Sequence, residues 1–142
     1  MCQSLRVYLA GRCKGLEDGG VTWRQEIAKQ LQAVAEWQDK QIDIFDPTKY
    51  FSYAEQKHKT QKQIKDYYFY QLQRCDIVIL NANDTAESIG TAMEVQKAVD
   101  CGIPIIAWGK NNTYPWITEV DVMVLYDSMH EVVDFVRDYM WE

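Results

Sequence analysis

The sequence predicts an α/β fold, a mainly parallel sheet covered on both faces by helices. Two observations carry that expectation. Short β-branched runs alternate with helix-spaced segments along the chain, the pattern of repeated strand–helix–strand crossovers. The stretch Cys75–Gly102 (CDIVILNANDTAESIGTAMEVQKAVDCG) holds one such unit complete. It is an apolar run of the kind buried inside parallel sheets, a polar loop, and a helix opening on Ser88.

The elements follow in order. Leu5–Ala10 (LRVYLA) reads as a strand, and the Gly-rich loop Gly11–Gly20 follows it. Trp23–Trp37 carries Ile27, Leu31 and Val34 at helical spacing and is an amphipathic helix. Ile42–Phe45 is a short strand ended by Asp46-Pro47. From Lys49 to about His58 the chain is polar and aromatic, a loop or short helix over the crevice. Gln61–Arg74 reads as a helix and Asp76–Leu80 as the next strand. Ser88 is a good N-cap, Gly90 admits close approach of a ligand or backbone, and Gly102 with Pro104 stops the helix. Ile103–Trp108 is a strand closed by Gly109, and Lys110–Trp116 is a loop. Val120–Tyr126 is the last strand and Met129–Tyr139 the closing helix. No repeat, low-complexity tract or linker divides the chain, so residues 1–142 are expected to form a single domain.

Composition narrows the function classes. A chain of 142 residues, 47% of them hydrophobic, can bury a substantial core. Its formal net charge of −6 disfavours nucleic-acid polymers and anionic membrane surfaces as partners, though a small anion can still be held by local groups. No apolar run approaches the roughly 18 residues of a membrane span, and the start MCQSLRVY lacks a signal-peptide pattern. Cys2, Cys13, Cys75 and Cys101 show no C-x-x-C spacing and read as reduced thiols of a cytoplasmic protein, with Cys75 and Cys101 as core filler. His58 and His130 stand alone without metal-ligand spacing and read as surface or capping residues. Neither a metal nor an organic cofactor is expected.

The chemistry concentrates near Glu94, in the second turn of the helix that opens on Ser88. That helix starts just beyond the carboxyl end of a strand, where open α/β sheets bind ligands. The helix dipole favours an ionised carboxylate there, and a charged acid beside a crevice is a candidate nucleophile or base. Three strand ends, Tyr8–Lys14, Phe45–Tyr50 and Asn81–Glu94, converge on that crevice. They gather a tyrosine, a basic residue, amides and a carboxylate, which suits a small polar ligand better than a protein surface. Glu17 and Asp18 read as solvated or as a gate. The run Lys57–Lys65 reads as a solvated helix face that can also draw in an anion.

VYLAG (Val7–Gly11), FDPTKYF (Phe45–Phe51), CDIVILNAND (Cys75–Asp84), SIGTAME (Ser88–Glu94), GIPIIA (Gly102–Ala107) and YPWI (Tyr114–Ile117) occur in this order over nearly the whole chain. Together they resemble the nucleoside 2-deoxyribosyltransferases and their relatives that hydrolyse deoxynucleoside monophosphates. The resemblance implies a flavodoxin-like, doubly wound five-stranded parallel sheet with helices on both faces. It implies that Glu94 attacks the anomeric carbon of 2-deoxyribose, expels the base and forms a covalent deoxyribosyl-enzyme that passes to another base or to water. Tyr8 matches the family tyrosine that orients the carboxylate, and Gly11 and Gly90 fall in matched substrate-binding segments.

Substrate phosphorylation rests on Ser88 and Lys14. Many base-exchanging members carry aspartate at the Ser88 position for the sugar 5-hydroxyl, whereas the monophosphate hydrolases carry serine. A serine hydroxyl at a helix N-terminus accommodates phosphate, which an aspartate repels. Lys14, within GRCKG, resembles the basic residue of the hydrolases' first loop, and Arg12 is a second candidate. Serine at that position also resembles sequences described as transferases, so nucleoside and nucleotide both stay open.

One departure concerns the acid that serves the base. The family aspartate eight residues before Asp76 is Tyr68 here, and Asp66 lies about 200° away around a helix. Asp84 or Asp46 can supply an acid, Asn81 and Asn83 can bond a base edge, and the Tyr68 phenol can donate a proton or stack. DVM (Asp121–Met123) resembles the family's asparagine-x-methionine from a neighbouring subunit, which implies a homodimer or larger homo-oligomer with Asp121 acting in trans. Trp116, Tyr139 and Trp141 suit either an interface or the core. The expected function is therefore base exchange at the N-glycosidic bond of 2-deoxynucleosides through a deoxyribosyl-Glu94 intermediate. The alternatives are a deoxynucleoside 5-monophosphate N-glycosidase using Ser88 and Lys14, and a non-catalytic nucleotide-binding or sequestering protein. In each case the partners are a small deoxynucleoside or deoxynucleotide and a nucleobase, with no nucleic-acid polymer and no membrane.

Overall fold

The computed structural model describes residues 4–50 and 60–141. Strands β1 (Ser4–Ala10), β2 (Gln41–Phe45), β3 (Ile77–Asn81), β4 (Ile105–Trp108) and β5 (Val124–Tyr126) alternate with helices α1 (Val21–Trp37), α2 (Gln61–Leu72), α3 (Ile89–Asp100) and α4 (Met129–Phe135). Every strand pair is parallel and the sheet order is β2-β1-β3-β4-β5, a flavodoxin-like doubly wound sheet. The chain steps outward from β1 to β2, then returns to the other side of β1 for β3. That reversal leaves a crevice beyond the carboxyl ends of β1 and β3, which no crossover fills.

Strand alternation sorts the core into two layers. Val7 and Leu9 of β1 pack with Ile27 and Leu31 of α1 and with Val132, Val133 and Val136 on and after α4. Tyr8 and Ala10 point the other way, against Leu72 of α2 and Val95 and Ala98 of α3. The two-residue period of β1 thus aims Tyr8 at the layer that carries Glu94.

Two local expectations are corrected. The last strand begins at Val124, because Trp116–Asp121 coils into a wide helical turn that leaves Val120 73% exposed. Cys101 is exposed at the end of α3 instead of filling the core, while Cys75 is half-buried. Asp18 is exposed, as expected of a solvated loop residue, and its carboxylate also accepts the N–H groups of Gly20 and Thr22, both at 2.9 Å. Those bonds supply the cap that α1 lacks at Gly20; the Thr22 side chain first, and then the two amides, hold the exposed Asp18 carboxyl down to about 2.

Trp141 joins the core, whereas Trp116 and Tyr139 are exposed. His130 is exposed and lies 3.5 Å from Asp134. The readings made for Cys2, His58 and the segment from Phe51 to about His58 fall outside the described residues. Among the described residues no helix is long and apolar enough to cross a membrane.

Candidate active site

The crevice is a cavity of about 1010 Å³. Gly11, Arg12, Cys13, Lys14 and Gly15 line it from the loop after β1, with Pro47 after β2. Glu87, Ser88, Ile89, Gly90, Thr91, Met93 and Glu94 line it from the start of α3. Helix α2 forms the facing wall with Lys62, Lys65, Asp66, Tyr68 and Phe69.

Glu94 is placed by the helical period. Helix α3 buries Thr91, Val95 and Ala98, so Glu94 falls on the inner flank of that stripe. The Tyr8 hydroxyl, fully buried on β1, donates a short hydrogen bond to Glu94 Oε2. Tyr8 is held in turn by stacking on Phe45, with ring centroids 5.4 Å apart.

Desolvation governs this pair. It lifts the Glu94 carboxyl from its ordinary 4.5 to about 7, against the opposing Tyr8 hydrogen bond and the Arg24 charge. Burial and then the Glu94 charge push the Tyr8 phenol well above its ordinary 10.0. The expectation that the helix dipole keeps Glu94 charged is therefore corrected. The second turn is too far along the helix for the dipole to offset lost hydration.

The other site candidates divide by position. Ser88 caps α3, its hydroxyl 3.4 Å from the Thr91 amide and 2.7 Å from Thr91 Oγ1, and remains on the cavity wall. Gly90 leaves open space where a side chain would stand. Tyr68 lines the cavity and its hydroxyl donates to Pro47 O at 3.0 Å. Asp66 shares that wall despite its angular separation, because α2 lies along the cavity and shows it a broad face.

Asp46, Asn81, Asn83, Asp84, Asp121 and Met123 do not line the cavity. Asp46 is buried, accepting from the Thr48 N–H at 2.9 Å and the Thr48 hydroxyl at 2.6 Å. Asn81 Oδ1 accepts from Asn83, whose own Oδ1 accepts the Lys110 and Asn111 amides. Asp84 and Glu87 lie 3.7 and 3.3 Å from Arg12 Nη1. Asp121 and Met123 precede β5 at the amino end of the sheet, where the Met123 N–H donates to Ile105 O at 2.8 Å.

Arg24 is the main residue that motif reading missed. It is only 1% exposed, and its guanidinium lies behind the loop after β1. The available signal was its spacing: Arg24, Ile27 and Leu31 share one stripe of α1, and an arginine on an apolar stripe needs buried partners. Cys13 and Met93, which lie within GRCKG and SIGTAME but were not singled out there, also line the cavity. Among the described residues no group of three or more His, Cys, Asp or Glu is placed to hold a metal ion.

A Tyr8→Phe variant should raise Glu94 further, since the lost bond is one that lowers it. A hydrogen bond to a charged group is worth about 1.5–3 kcal/mol, so the Glu94 carboxyl titration, followed by carbon-13 NMR, should move up by roughly one to two units. An unmoved titration would count against Tyr8 as the group that bonds the Glu94 carboxylate.

The sequence model of the family described as nucleoside 2-deoxyribosyltransferase matches residues 7–135. No curated protein sequence matches the chain. Among solved structures, the 2-deoxyribosyltransferase of Bacillus psychrosaccharolyticus is similar at 15% identity and TM-score 0.72, covering 95% of this chain and 93% of its own. The Leishmania mexicana 2-deoxyribosyltransferase gives 16% identity and TM-score 0.68, covering 95% and 98%. A CMP N-glycosidase from Clostridium botulinum gives 18% identity and TM-score 0.56, covering 94% and 98%. At these identities the structural likeness establishes the shared fold.

Proposed function

The chain belongs to the nucleoside 2-deoxyribosyltransferase family, and from that premise we propose that it breaks the N-glycosidic bond of 2-deoxynucleosides with Glu94 as nucleophile. One observation carries the reading: a carboxylate bonded to a buried tyrosine hydroxyl lines a cavity at the switch point of the sheet. A Glu94 oxygen attacks the anomeric carbon, and the carbon–nitrogen pair leaves with the base. A nitrogen of a second base then displaces Glu94 and gives up its proton, balancing the proton the departing base takes up, which completes the exchange. The transition state carries oxocarbenium character, which the adjacent carboxylate stabilises. Tyr68 and Asp66, on the α2 wall, are in place to stack on the base or protonate it as it departs.

A second reading takes deoxynucleoside 5-monophosphates as substrates and water as the acceptor. It is favoured by Arg12, Lys14, Lys62 and Lys65 on the cavity wall, and by Ser88 where α3 opens. Arg12 already faces two carboxylates, so Lys14 is the stronger phosphate ligand. We further propose, for the transferase reading first, that the protein works as a homo-oligomer. Asp121 and Met123 reach a cavity from a neighbouring copy, whose docking would cover Trp116, Val120 and Met123, exposed by 72, 73 and 54%.

The test is chromatographic detection of base release from a panel of deoxynucleosides and their 5-monophosphates, with and without a second free base. Exchange into the added base identifies the transferase, and free deoxyribose or its phosphate identifies the hydrolase. Tight ligand binding without release from any member would overturn both in favour of a binding protein. If phosphate is recognised, Lys14→Ala should raise KM for a monophosphate about tenfold, the worth of one modest charge-assisted contact, and leave the nucleoside unaffected. An equal effect on both substrates would remove Lys14 from phosphate recognition.

A further inference from the structure

Arg24 is a permanently charged group at 1% exposure, and it is built into the back of the candidate site. Its Nη1 donates to Gly20 O and its Nη2 to Gly11 O, both at 2.8 Å, while Nε lies 3.5 Å from Leu9 O. One side chain on α1 therefore closes the loop that runs from Gly11 to Gly20 and supplies Lys14. The fit is tight: a β-carbon at Gly20 would stand 2.5 Å from Arg24 Nη1, and φ there is +81°. The Trp23 ring covers the guanidinium, 4.4 Å from its carbon to the ring centroid.

The charge is not consumed by its nearest carboxylate. Asp46 Oδ1 is 3.9 Å from Arg24 Nε, and that same oxygen already accepts two bonds from Thr48. The field of the guanidinium therefore extends to the other acidic groups around the cavity floor. These are Glu94 from α3, Tyr8 from β1 and Cys13 from the intervening loop: burial pushes each toward its neutral form, and the Arg24 charge opposes that push at all three. Glu94 and Tyr68 oppose Arg24 at Tyr8, and Glu94 and then Asp46 oppose it at Cys13.

We propose that Arg24 is a positioning residue for the glycosidic chemistry, shaping the loop after β1 and providing the fixed positive charge against which Glu94 acts as nucleophile. The proposal rests on Glu94 having that role. Arg24 needs no contact with substrate, because it acts through the Gly11 and Gly20 carbonyls and through its field.

The experiment compares wild type, Arg24→Gln and Arg24→Lys in two readouts. The first is the carboxyl titration of Glu94 in ligand-free protein, followed by carbon-13 NMR and assigned by its loss in Glu94→Gln. The second is the pH profile of base release. Arg24→Gln removes the charge and, two bonds shorter, also gives up the bonds to the Gly11 and Gly20 carbonyls, so it is read against Arg24→Lys, which keeps the charge. Arg24→Gln should move the Glu94 titration up by roughly one unit and lower activity about tenfold on the acidic limb. Arg24→Lys keeps the charge but loses the planar fork, so the titration should stay in place while KM rises. A Glu94 titration unchanged in a folded Arg24→Gln protein overturns the proposal. If that variant does not fold, a displaced titration in Arg24→Lys overturns it instead. The titration needs no turnover, so it answers for Arg24 separately from whether Glu94 proves to be the nucleophile.

Discussion

Glu94→Gln is expected to abolish base release, by a factor of at least about 10³, while the protein stays folded and its cavity intact. Glutamine matches the carboxylate in size and can still accept the Tyr8 hydroxyl bond, so the change removes nucleophilicity and little else. Losing a covalent nucleophile costs this much or more, because the remaining groups stabilise a displacement that no longer takes place. The check has two parts. Single-turnover assays should show no release in the variant, and acid-quenched wild type should carry a deoxyribosyl ester on Glu94 by mass spectrometry. Release that survives Glu94→Gln within tenfold would remove Glu94 from the chemistry and leave the cavity as a binding site.

The same substitution should stabilise the protein, and only at high pH. Glu94 titrates at about 7 in the folded chain against an ordinary 4.5, raised first by desolvation. The native state thus binds this proton more tightly than the unfolded state does. Its contribution to stability is fully present below about 4.5 and is lost as pH rises through about 7. Above that window the ionised carboxylate costs about 3 kcal/mol, an upper value because the open cavity lets water reach the group. Glutamine never ionises. The variant should therefore melt roughly 6–12 °C higher than wild type at pH 8, with the gain vanishing near pH 4.5. Equal gains at both pH values would show that strain or packing, not a desolvated charge, sets the cost of Glu94. A site group that destabilises its own fold is a common exchange of stability for function.

The fold was legible because its signals are local and periodic. The β-branched run before Asn81, the Ser88 cap and the Gly102 stop each encode one boundary, and the structure places α3 at Ile89–Asp100 between them. The apolar stripe of α1 was equally plain, with Ile27 and Leu31 fully buried. The last strand was misread because Val120 and Val122 look β-branched in isolation. What bends that segment is the turn starting at Trp116, whose N–H and C=O groups find partners within the coil and at Tyr114.

The family resemblance was enough to expect Tyr8 beside Glu94, and the structure joins them by a hydrogen bond across the crevice end of the sheet. The protonation of that pair was beyond reach of the sequence. A helix-dipole argument takes account of neighbours along the chain, whereas desolvation depends on what three other elements place around the carboxyl. Arg24 illustrates the same division. Its type and spacing are printed in the chain, but the carbonyls it serves belong to Leu9, Gly11 and Gly20.

Asn81, Asn83 and Asp46 carry the converse lesson. Each has the chemistry of a ligand group, yet their side chains are turned to loop and turn amides, because buried backbone donors take the nearest acceptor. What the sequence determined by itself was therefore the order of elements, the sheet class and the pairing of Tyr8 with Glu94, written in local period and motif. Only the tertiary structure decided which polar groups face the cavity and which hold its walls. It also decided the charge state in which Glu94 waits, because burial and field are properties of the surroundings that several segments build together.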